Sequence, residues 1–227
     1  SISPVSVITS PSAGNTTDST PTIVFNLTDN IDLNINYSVI VDGSVTNYSS
    51  AVNGTAVSLT LPTQTDGTYS IVVEALDNAS NRVNSSVLYL TVDTIAPWSN
   101  LSAPANGTTV TDNSVSQFCV NATDNIDKVL DYSLYLNGVL NWTTTTANGT
   151  ETCGNAISGL SNSVYNVTIN VTDDAGNLFT FGTTFTVSDT EPLDSTALMA
   201  QSGVNDSDND GNIEIGWSAD ANASSYS

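Results

Sequence analysis

The segment Leu27-Thr28-Asp29-Asn30-Ile31-Asp32 returns 95 positions later as Ala122-Thr123-Asp124-Asn125-Ile126-Asp127. At the same shift, Tyr37, Asp42-Gly43 and Asn53-Gly54-Thr55 return as Tyr132, Asn137-Gly138 and Asn148-Gly149-Thr150. Near the end of each copy, Val92-Asp93-Thr94 meets Ser188-Asp189-Thr190 at a shift of 96. This period is too long for a solenoid repeat and fits a β-sandwich domain.

Within each copy, apolar and polar residues alternate between clusters of turn-forming residues, which is the period of a half-buried strand. In the first copy the alternation occurs at Ile23, Phe25, Leu27; Tyr37, Val39, Val41; Val57, Leu59, Leu61; and Tyr69, Ile71, Val73, Ala75. The second copy repeats it most clearly at Tyr165, Val167, Ile169 and Val171. We therefore predict an all-β fold of tandem Greek-key sandwiches. These runs would be strands B, C, E and F, with strand G at residues 87–92.

Three motifs carry a family resemblance. They are Asp-Asn-x-Asp after strand B, Asp-x-Ala-Gly-Asn after strand F, and Asp-Thr-x-x-Pro at the end of the copy. In this combination the chain resembles the Ig-like repeats of bacterial and archaeal surface proteins over about 190 residues. The resemblance implies Ig-like domains at 1–97 and 98–192. Tyr69 and Tyr165, at the start of strand F, also resemble the tyrosine corner of Greek-key sandwiches.

After Pro192 the pattern changes. Ile213, Ile215 and Trp217 alternate, and Ala223-Ser224-Ser225-Tyr226 resembles the approach to strand C of a fibronectin type III domain. Such a domain needs about 90 residues. Residues 193–227 are therefore expected to be an incomplete fibronectin type III-like domain of a longer chain, or else strands donated to the sheet of a neighbouring molecule.

The charge pattern excludes several functions. The net charge is -21 because 23 acidic residues face only Arg82 and Lys128. Without a basic patch, binding to nucleic acid or to an anionic membrane surface is excluded, whereas divalent cations remain plausible partners. No apolar run is long enough to insert into a membrane. The chain has no His, no phosphate-binding glycine loop and no nucleophile–base pair, so we predict no enzyme activity.

N-glycosylation sequons are unusually frequent, and we predict N-linked glycans at many of them. The sixteen candidates are Asn15, Asn26, Asn36, Asn47, Asn53, Asn78, Asn84, Asn100, Asn106, Asn121, Asn141, Asn148, Asn166, Asn170, Asn205 and Asn222. Several, including Asn26, Asn121 and Asn166, lie between inward apolar residues and should point outward from a strand. The alternative is that a polar sheet surface spells sequons by chance.

The only two cysteines, Cys119 and Cys153, are predicted to form one disulfide in an oxidising compartment. Cys119 falls between inward residues of strand B, and Cys153 aligns with Ser58 of strand E. Both should point outward, so the bridge would join neighbouring strands on the outer face rather than cross the core.

Two groups of acidic residues predict Ca²⁺ sites, because Ca²⁺ takes six to eight oxygen ligands. The first group is the loop Asp206, Asp208, Asp210, Asn212 and Glu214, which has the spacing of an EF-hand loop but Trp217 at its twelfth position. The second joins Asp93, at the end of domain one, to Asp124, Asn125, Asp127, Asp173 and Asp174 at the top of domain two. The alternative in both cases is that Asp and Asn simply favour turns.

Repetition without a catalytic constellation favours a structural extracellular glycoprotein of the cell surface, such as a rigid stalk, a surface-layer component or a filament subunit. Its partners would be neighbouring copies of itself or further domains of the same chain. The alternative is an adhesin module that binds surface carbohydrate or protein through its end loops, with Trp98 and Trp142 as candidate contacts. A spacer attached to an enzyme elsewhere in a longer gene is a third interpretation.

Overall fold

The structure of the chain is a computed structural model that describes residues 2–189. The expected third unit at 193–227, the acidic loop from Asp206 to Glu214, and the sequons at Asn205 and Asn222 lie outside the described residues. Every regular element of residues 2–189 is a β-strand, which confirms the all-β prediction. Across the same residues there is no helix of the length and apolarity that a membrane crossing requires.

Domain 1 is the sandwich formed by the first nine strands. A three-stranded sheet has the order β1-β3-β6, and the facing sheet has the order β2-β9-β7-β4-β5 with β8 paired to β7. All pairs are antiparallel except β2 with β9. The strands are β1 Val5–Ser10, β2 Gly14–Thr16, β3 Thr22–Thr28, β4 Asn34–Val41, β5 Ser44–Val52, β6 Ala56–Thr60, β7 Gly67–Leu76, β8 Arg82–Asn84 and β9 Leu88–Val92.

Domain 2 repeats this plan with eight strands. Its sheets have the orders β10-β12-β15 and β11-β17-β16-β13-β14, and β11 with β17 is again the parallel pair. The strands are β10 Trp98–Ala103, β11 Thr109–Val110, β12 Cys119–Thr123, β13 Val129–Leu136, β14 Val139–Ala147, β15 Thr152–Cys153, β16 Ser163–Thr172 and β17 Leu178–Val187. The predicted boundary after residue 97 falls between β9 and β10.

Each sandwich encloses its own core, made by the inward residues of the alternating runs. In domain 1, Phe25 of β3 meets Tyr37 of β4 edge to face, with ring centroids 5.0 Å apart. In domain 2, Phe185 stacks on Tyr165 at 5.2 Å and meets Phe118 edge to face at 5.8 Å. Burial of these period-two faces is the main favourable contribution to folding of each domain.

Two strands that the alternation did not predict are β5 and β14, each joined to the preceding strand by a two-residue turn. In the first turn Asp42 and Gly43 have φ angles of 47° and 78°, and in the second Asn137 and Gly138 have 49° and 79°. Positive φ at both positions defines a type I′ hairpin turn, for which Asp-Gly and Asn-Gly are favoured. Most side chains of β5 are exposed, so the strand shows no apolar alternation in the sequence.

The tyrosine corners are present in both domains. The Tyr69 hydroxyl donates to the carbonyl oxygen of Thr65 at 2.7 Å, and the Tyr165 hydroxyl donates to that of Ser161 at 3.2 Å. In each case the ring packs with the core while its hydroxyl fixes the loop that leads into strand F.

The disulfide joins Cys119 of β12 to Cys153 of β15, as predicted. The two residues are directly opposite in the ladder, with their Cα atoms 4.0 Å apart. They occupy the positions that Val24 and Ser58 occupy in the ladder of domain 1. Neither cysteine belongs to the core cluster of domain 2, and the outer-face position of the bridge stays a prediction. Cys119 is nevertheless buried, whereas Cys153 is exposed.

Candidate metal centre at the domain junction

The junction is the segment 93–97 that connects β9 to β10, and its first residue is Asp93. The Asp93 backbone continues the edge of domain 1, because its N–H donates to the carbonyl of Thr16 at 2.9 Å. Its side chain points into the junction and is only 1% exposed. A carboxylate is rarely buried to this extent unless it is paired, hydrogen-bonded or bound to a metal.

The loop that follows β12 forms one wall of the site. Oδ1 of Asp124 accepts the N–H groups of Ile126 and Asp127 at 2.8 and 2.9 Å, which closes the loop as an Asx turn. The side-chain amide of Asn148 donates to the carbonyls of Asp124 and Asp127, and its oxygen accepts the N–H of Asp124. With the loop fixed in this way, Oδ2 of Asp124 is buried and has no hydrogen-bond partner.

The loop that follows β16 forms the second wall. Asp173 accepts the backbone N–H and the side-chain amide of Asn177, both at 2.8 Å. Oδ2 of Asp127 accepts the N–H of Asp174 at 2.8 Å, which ties the two loops together. Asp127 and Asp173 are therefore held by backbone donors in fixed orientations, and both are buried.

The carboxylates of Asp93, Asp127 and Asp173 converge between the two walls. One oxygen from each lies within 4.8 Å of the others. Oδ2 of Asp93 is buried without a partner, and its Oδ1 accepts only a long bond of 3.2 Å from the N–H of Ile95. Among residues 2–189, the one ion pair joins Arg82 to Glu74. These three aspartates therefore have no ion pair with a basic side chain of the described residues.

This crowding of negative charge changes the acidity of the site. Burial, together with the neighbouring carboxylates, raises the pKa of Asp93 from its ordinary 3.8 to about 6. Burial also raises the pKa of Asp127, and the charges of Asp174, Asp173 and Asp124 act in the same direction. Without a compensating cation, the junction therefore favours a protonated Asp93 at mildly acidic pH.

Two side-chain amides of domain 2 hold domain 1 in place. The Asn177 amide donates to the carbonyl of Asp93 at 2.9 Å, and the Asn125 amide donates to Oδ2 of Asp66 at 2.9 Å. Oδ1 of Asp66 also accepts the N–H and hydroxyl of Thr94. Although burial alone would raise the pKa of Asp66, the hydrogen bonds from Thr94 and Asn125 lower it.

The residues at the junction fit a hard divalent cation. Ca²⁺ binds oxygen at about 2.3–2.6 Å, so its ligand atoms are separated by up to about 5 Å. The three converging carboxylate oxygens meet this limit. Asp124 is not one of these three, but its charge contributes to the raised pKa of Asp93. Of the residues that the sequence predicted for this site, the side chains of Asp93, Asp127 and Asp173 converge. Asn125 instead binds Asp66, and Asp174 contributes its backbone N–H.

None of the fourteen sequon asparagines within residues 2–189 is buried. Asn26, Asn36, Asn121, Asn166 and Asn170 lie between buried neighbours on their strands and face outward. Asn53 and Asn148 are different, because each uses its side-chain amide to bind two loop carbonyls at 2.6–2.8 Å. The structure therefore gives these two asparagines a loop-closing role that the sequence motif concealed.

Comparison with known proteins identifies the repeat. Residues 9–94 match the family described as bacterial Ig-like domain. The chain is 33% identical over 159 residues to halomucin from Haloquadratum walsbyi (strain DSM 16790 / HBSQ001), a match that covers 69% of this chain and 2% of halomucin. The chain thus spans only a small part of the length of that relative.

Two solved structures are similar in fold. The fibronectin(III)-like modules of CbhA from Clostridium thermocellum match 82% of this chain and 95% of their own, at 17% identity and a TM-score of 0.46. The BSP domain of a biofilm associated protein matches 82% of this chain and 30% of its own, at 20% identity and a TM-score of 0.30. Neither likeness carries an argument about function. The family match over residues 9–94, together with the sandwich fold and the internal repeat, shows that the chain contains tandem Ig-like domains.

Proposed function

We propose that this chain is a structural segment of a cell-surface glycoprotein in which two Ig-like domains are joined end to end and stiffened by a divalent cation at their junction. The observation that carries the proposal is the convergence of Asp93 from domain 1 with Asp127 and Asp173 from domain 2. Because these ligands come from both domains, a bound cation would restrict how the domains move relative to each other.

The energetic argument rests on the state of the carboxylates. Two buried carboxylate oxygens, on Asp93 and Asp124, have no hydrogen-bond partner. An unpaired buried charge is strongly unfavourable, and it is usually neutralised by protonation or by an opposite charge. At neutral pH a Ca²⁺ ion would supply that charge. We favour Ca²⁺ over Mg²⁺ because the site consists of several protein oxygens, whereas Mg²⁺ usually keeps most of its waters.

The surface of the segment suits a glycan-coated spacer. The outward asparagines occur on both sheets, for example Asn26 on β3 and Asn36 on β4. Glycans there would project away from the cores. Of the two tryptophans considered for an adhesin, Trp142 packs against the core of domain 2, whereas Trp98 is 59% exposed. Only one of that pair therefore presents its ring to solvent, which favours the structural role over the adhesin.

Small-angle X-ray scattering in calcium and in chelator tests the proposal. With calcium we expect an extended particle with a narrow distribution of interdomain distances, and with chelator a broader distribution. The variant Asp93→Asn is the matched control, since it removes one ligand without changing either core, and it should give the broad distribution in both conditions. Identical scattering of the native chain with and without calcium would overturn the proposal.

Glycopeptide mass spectrometry of the protein from its native source tests the glycan coat. We expect occupancy at Asn26, Asn36, Asn121, Asn166 and Asn170, and no occupancy at Asn53 or Asn148, because the amides of the last two are hydrogen-bonded inside loops. Unmodified peptides at all five of the first group of asparagines would contradict the glycan coat but not the cation site.

A further inference from the structure

Two sequon asparagines of domain 2 lie directly opposite each other on neighbouring strands. Asn100 of β10 pairs with Asn121 of β12 in the antiparallel ladder, and both residues are half-buried. They share the outer face of the sheet, since their strand neighbours Ser99 and Ala122 are buried. In the ladders of residues 2–189 no other two sequon asparagines are paired directly.

This pairing leaves room for one glycan and not for two. Directly opposite side chains have Cβ atoms about 4.5–5.5 Å apart, and an N-linked glycan begins with a bulky sugar ring on the amide nitrogen. The ring is about as wide as that gap, so a first sugar on one amide covers the other amide. Neither Asn100 nor Asn121 makes a side-chain hydrogen bond within residues 2–189, so attachment at either breaks no existing contact.

The hydroxyl groups of the two sequons are in different states. The Ser102 hydroxyl, which belongs to the sequon of Asn100, donates to a backbone carbonyl at 3.0 Å and also contacts a carboxylate oxygen of Glu151. Thr123, which completes the sequon of Asn121, is exposed, and its hydroxyl makes no hydrogen bond within the described residues. Because this hydroxyl is part of the acceptor motif, the sequon of Asn121 is the more accessible of the two.

Trp98 borders both asparagines on the same face. It lies two residues before Asn100 on β10 and directly opposite Thr123, which places it diagonally across from Asn121. Diagonal neighbours in an antiparallel pair are about 7–8 Å apart, which is within reach of an aromatic side chain. The ring is 59% exposed and thus has apolar area left to cover. The first sugar on Asn121 would cover it, because one face of a sugar ring consists of C–H groups that pack on an aromatic ring.

We propose that Asn100 and Asn121 form a single glycosylation site, in which Asn121 carries the glycan, Asn100 stays unmodified and Trp98 packs on the first sugar. The proposal rests on the glycan coat of the proposed function and deepens it, because it gives one glycan a fixed contact on the first strand after the junction. The exposed ring of Trp98 then has a ligand within its own chain.

Domain 1 offers a comparison at the same positions. Asn26 of β3 corresponds to Asn121 of β12. The residue opposite it is Val7, which belongs to no sequon, and the position of Trp98 is taken by Val5. A glycan on Asn26 therefore has neither a competing sequon nor an aromatic ring beside it.

Glycopeptide mapping of the protein from its native source tests the exclusion. Trypsin cuts after Arg82 and Lys128, the only basic residues, so Asn100 and Asn121 stay on one peptide and fragmentation reports both on the same molecule. We expect a sugar on Asn121 and none on Asn100. Any other occupancy of the pair would overturn the proposal. A modified Asn166 in the same sample would then show that the glycan coat stands without it.

An engineered pair in domain 1 is the matched control for the exclusion. Val7→Asn creates a sequon with Thr9 directly opposite Asn26, and Val7 is exposed, so the core is left intact. When this variant of the full chain is secreted from yeast, we expect folded molecules with a glycan at position 7 or at Asn26 but not at both. Folded molecules with both glycans would show that opposite positions do not exclude each other, and the proposal would fail.

The reactivity of Trp98 tests the packing. Asn100→Gln, secreted from yeast and trimmed with endoglycosidase H, should carry one N-acetylglucosamine at Asn121, and the double variant with Asn121→Gln should carry none there. Oxidation of Trp98 by N-bromosuccinimide, followed by peptide mass spectrometry, should be several-fold slower in the single variant. Trp142 packs against the core and is the internal reference, with equal rates in both. Equal rates for Trp98, or an unmodified Asn121 in Asn100→Gln, would overturn the assignment.

Discussion

Domains 1 and 2 have the same strand order and the same loop motifs, yet they hold strand E in different ways. In domain 1, β6 pairs with β3 over five residues from Ala56 to Thr60. In domain 2, β15 has only two residues and pairs with β12 at Cys153 and Thr152, with one further isolated bridge from Val115 to Ile157. The disulfide lies at the shortened ladder. We infer that the disulfide holds strand E against strand B in domain 2, as the longer ladder does in domain 1.

The two copies differ again at their tops. The same turn motifs close the loops in both domains, so the aspartates have a structural role before any cation is considered. Within residues 2–189, a further carboxylate, that of Asp93, is buried against these loops at the top of domain 2 and not at the top of domain 1. The two carboxylate oxygens of the first aspartate in this motif therefore have different roles. In Asp29 and Asp124, Oδ1 accepts backbone N–H groups and fixes the loop, whereas Oδ2 has no hydrogen-bond partner.

The largest expected effect concerns the disulfide. The double variant Cys119→Val and Cys153→Ser gives domain 2 the residue pair that domain 1 has at Val24 and Ser58. We expect domain 2 to lose up to about 4 kcal/mol of unfolding free energy, because the bridge closes a loop of 34 residues in the unfolded chain. Domain 1 should be unaffected.

Denaturant unfolding followed by hydrogen exchange in β3 and β12 separates the two domains. The reciprocal variant, Val24→Cys with Ser58→Cys, should form a bridge and stabilise domain 1. Equal stability of native and bridge-less domain 2 would show that its short ladder is sufficient alone.

The second prediction is a loss of stability with rising pH that originates at the junction. Because folding raises the pKa of Asp93 from 3.8 to about 6, its contribution in chelator is favourable below pH 4 and is lost as the pH rises through 6. The shift corresponds to roughly 3 kcal/mol at most. Saturating calcium should offset the loss, since the ion binds the ionised carboxylates.

Melting curves between pH 4 and pH 8, with calcium or chelator, measure this effect. In chelator the variant Asp93→Asn should remove most of the pH dependence, whereas Asp112→Asn, which changes an exposed aspartate of domain 2, should retain it. A native chain in chelator that becomes more stable from pH 4 to pH 7 would contradict the assignment.

The smallest effect concerns the tyrosine corners. Tyr69→Phe removes a hydrogen bond of 2.7 Å to Thr65, and Tyr165→Phe removes one of 3.2 Å to Ser161. We expect a loss of about 1 kcal/mol for each domain, with the larger loss in domain 1 where the bond is shorter. Denaturant midpoints provide the measurement, and a larger loss for Tyr165→Phe would reverse this part of the comparison.

Much of the fold could be predicted from the sequence, because alternation of apolar residues and turn motifs are local properties of the chain. The pairing of Cys119 with Cys153 could be predicted because the chain has only two cysteines. The meeting of Asp93 with Asp127 and Asp173 could be predicted from the ends of the sandwiches at which their loops lie. Strands β5 and β14 were missed because most of their side chains are exposed.

The remaining features depend on three-dimensional placement. The bond from Asn125 to Asp66 joins residues of two domains, and only their relative orientation reveals it. The loop-closing amides of Asn53 and Asn148 were read as glycosylation sequons, because Asn-Gly-Thr satisfies both descriptions. The burial of Cys119 could not be predicted either, because strand alternation gives the face of a residue and not what covers it.

The central claim is that a cation binds between the two domains through Asp93. Native mass spectrometry of the full chain in calcium tests it most directly by counting bound ions in the native chain, in Asp93→Asn and in the control Asp112→Asn. Any ion at the loop from Asp206 to Glu214 contributes equally to all three counts. We predict one ion fewer in Asp93→Asn than in the other two. The same number of ions in all three chains would contradict the account.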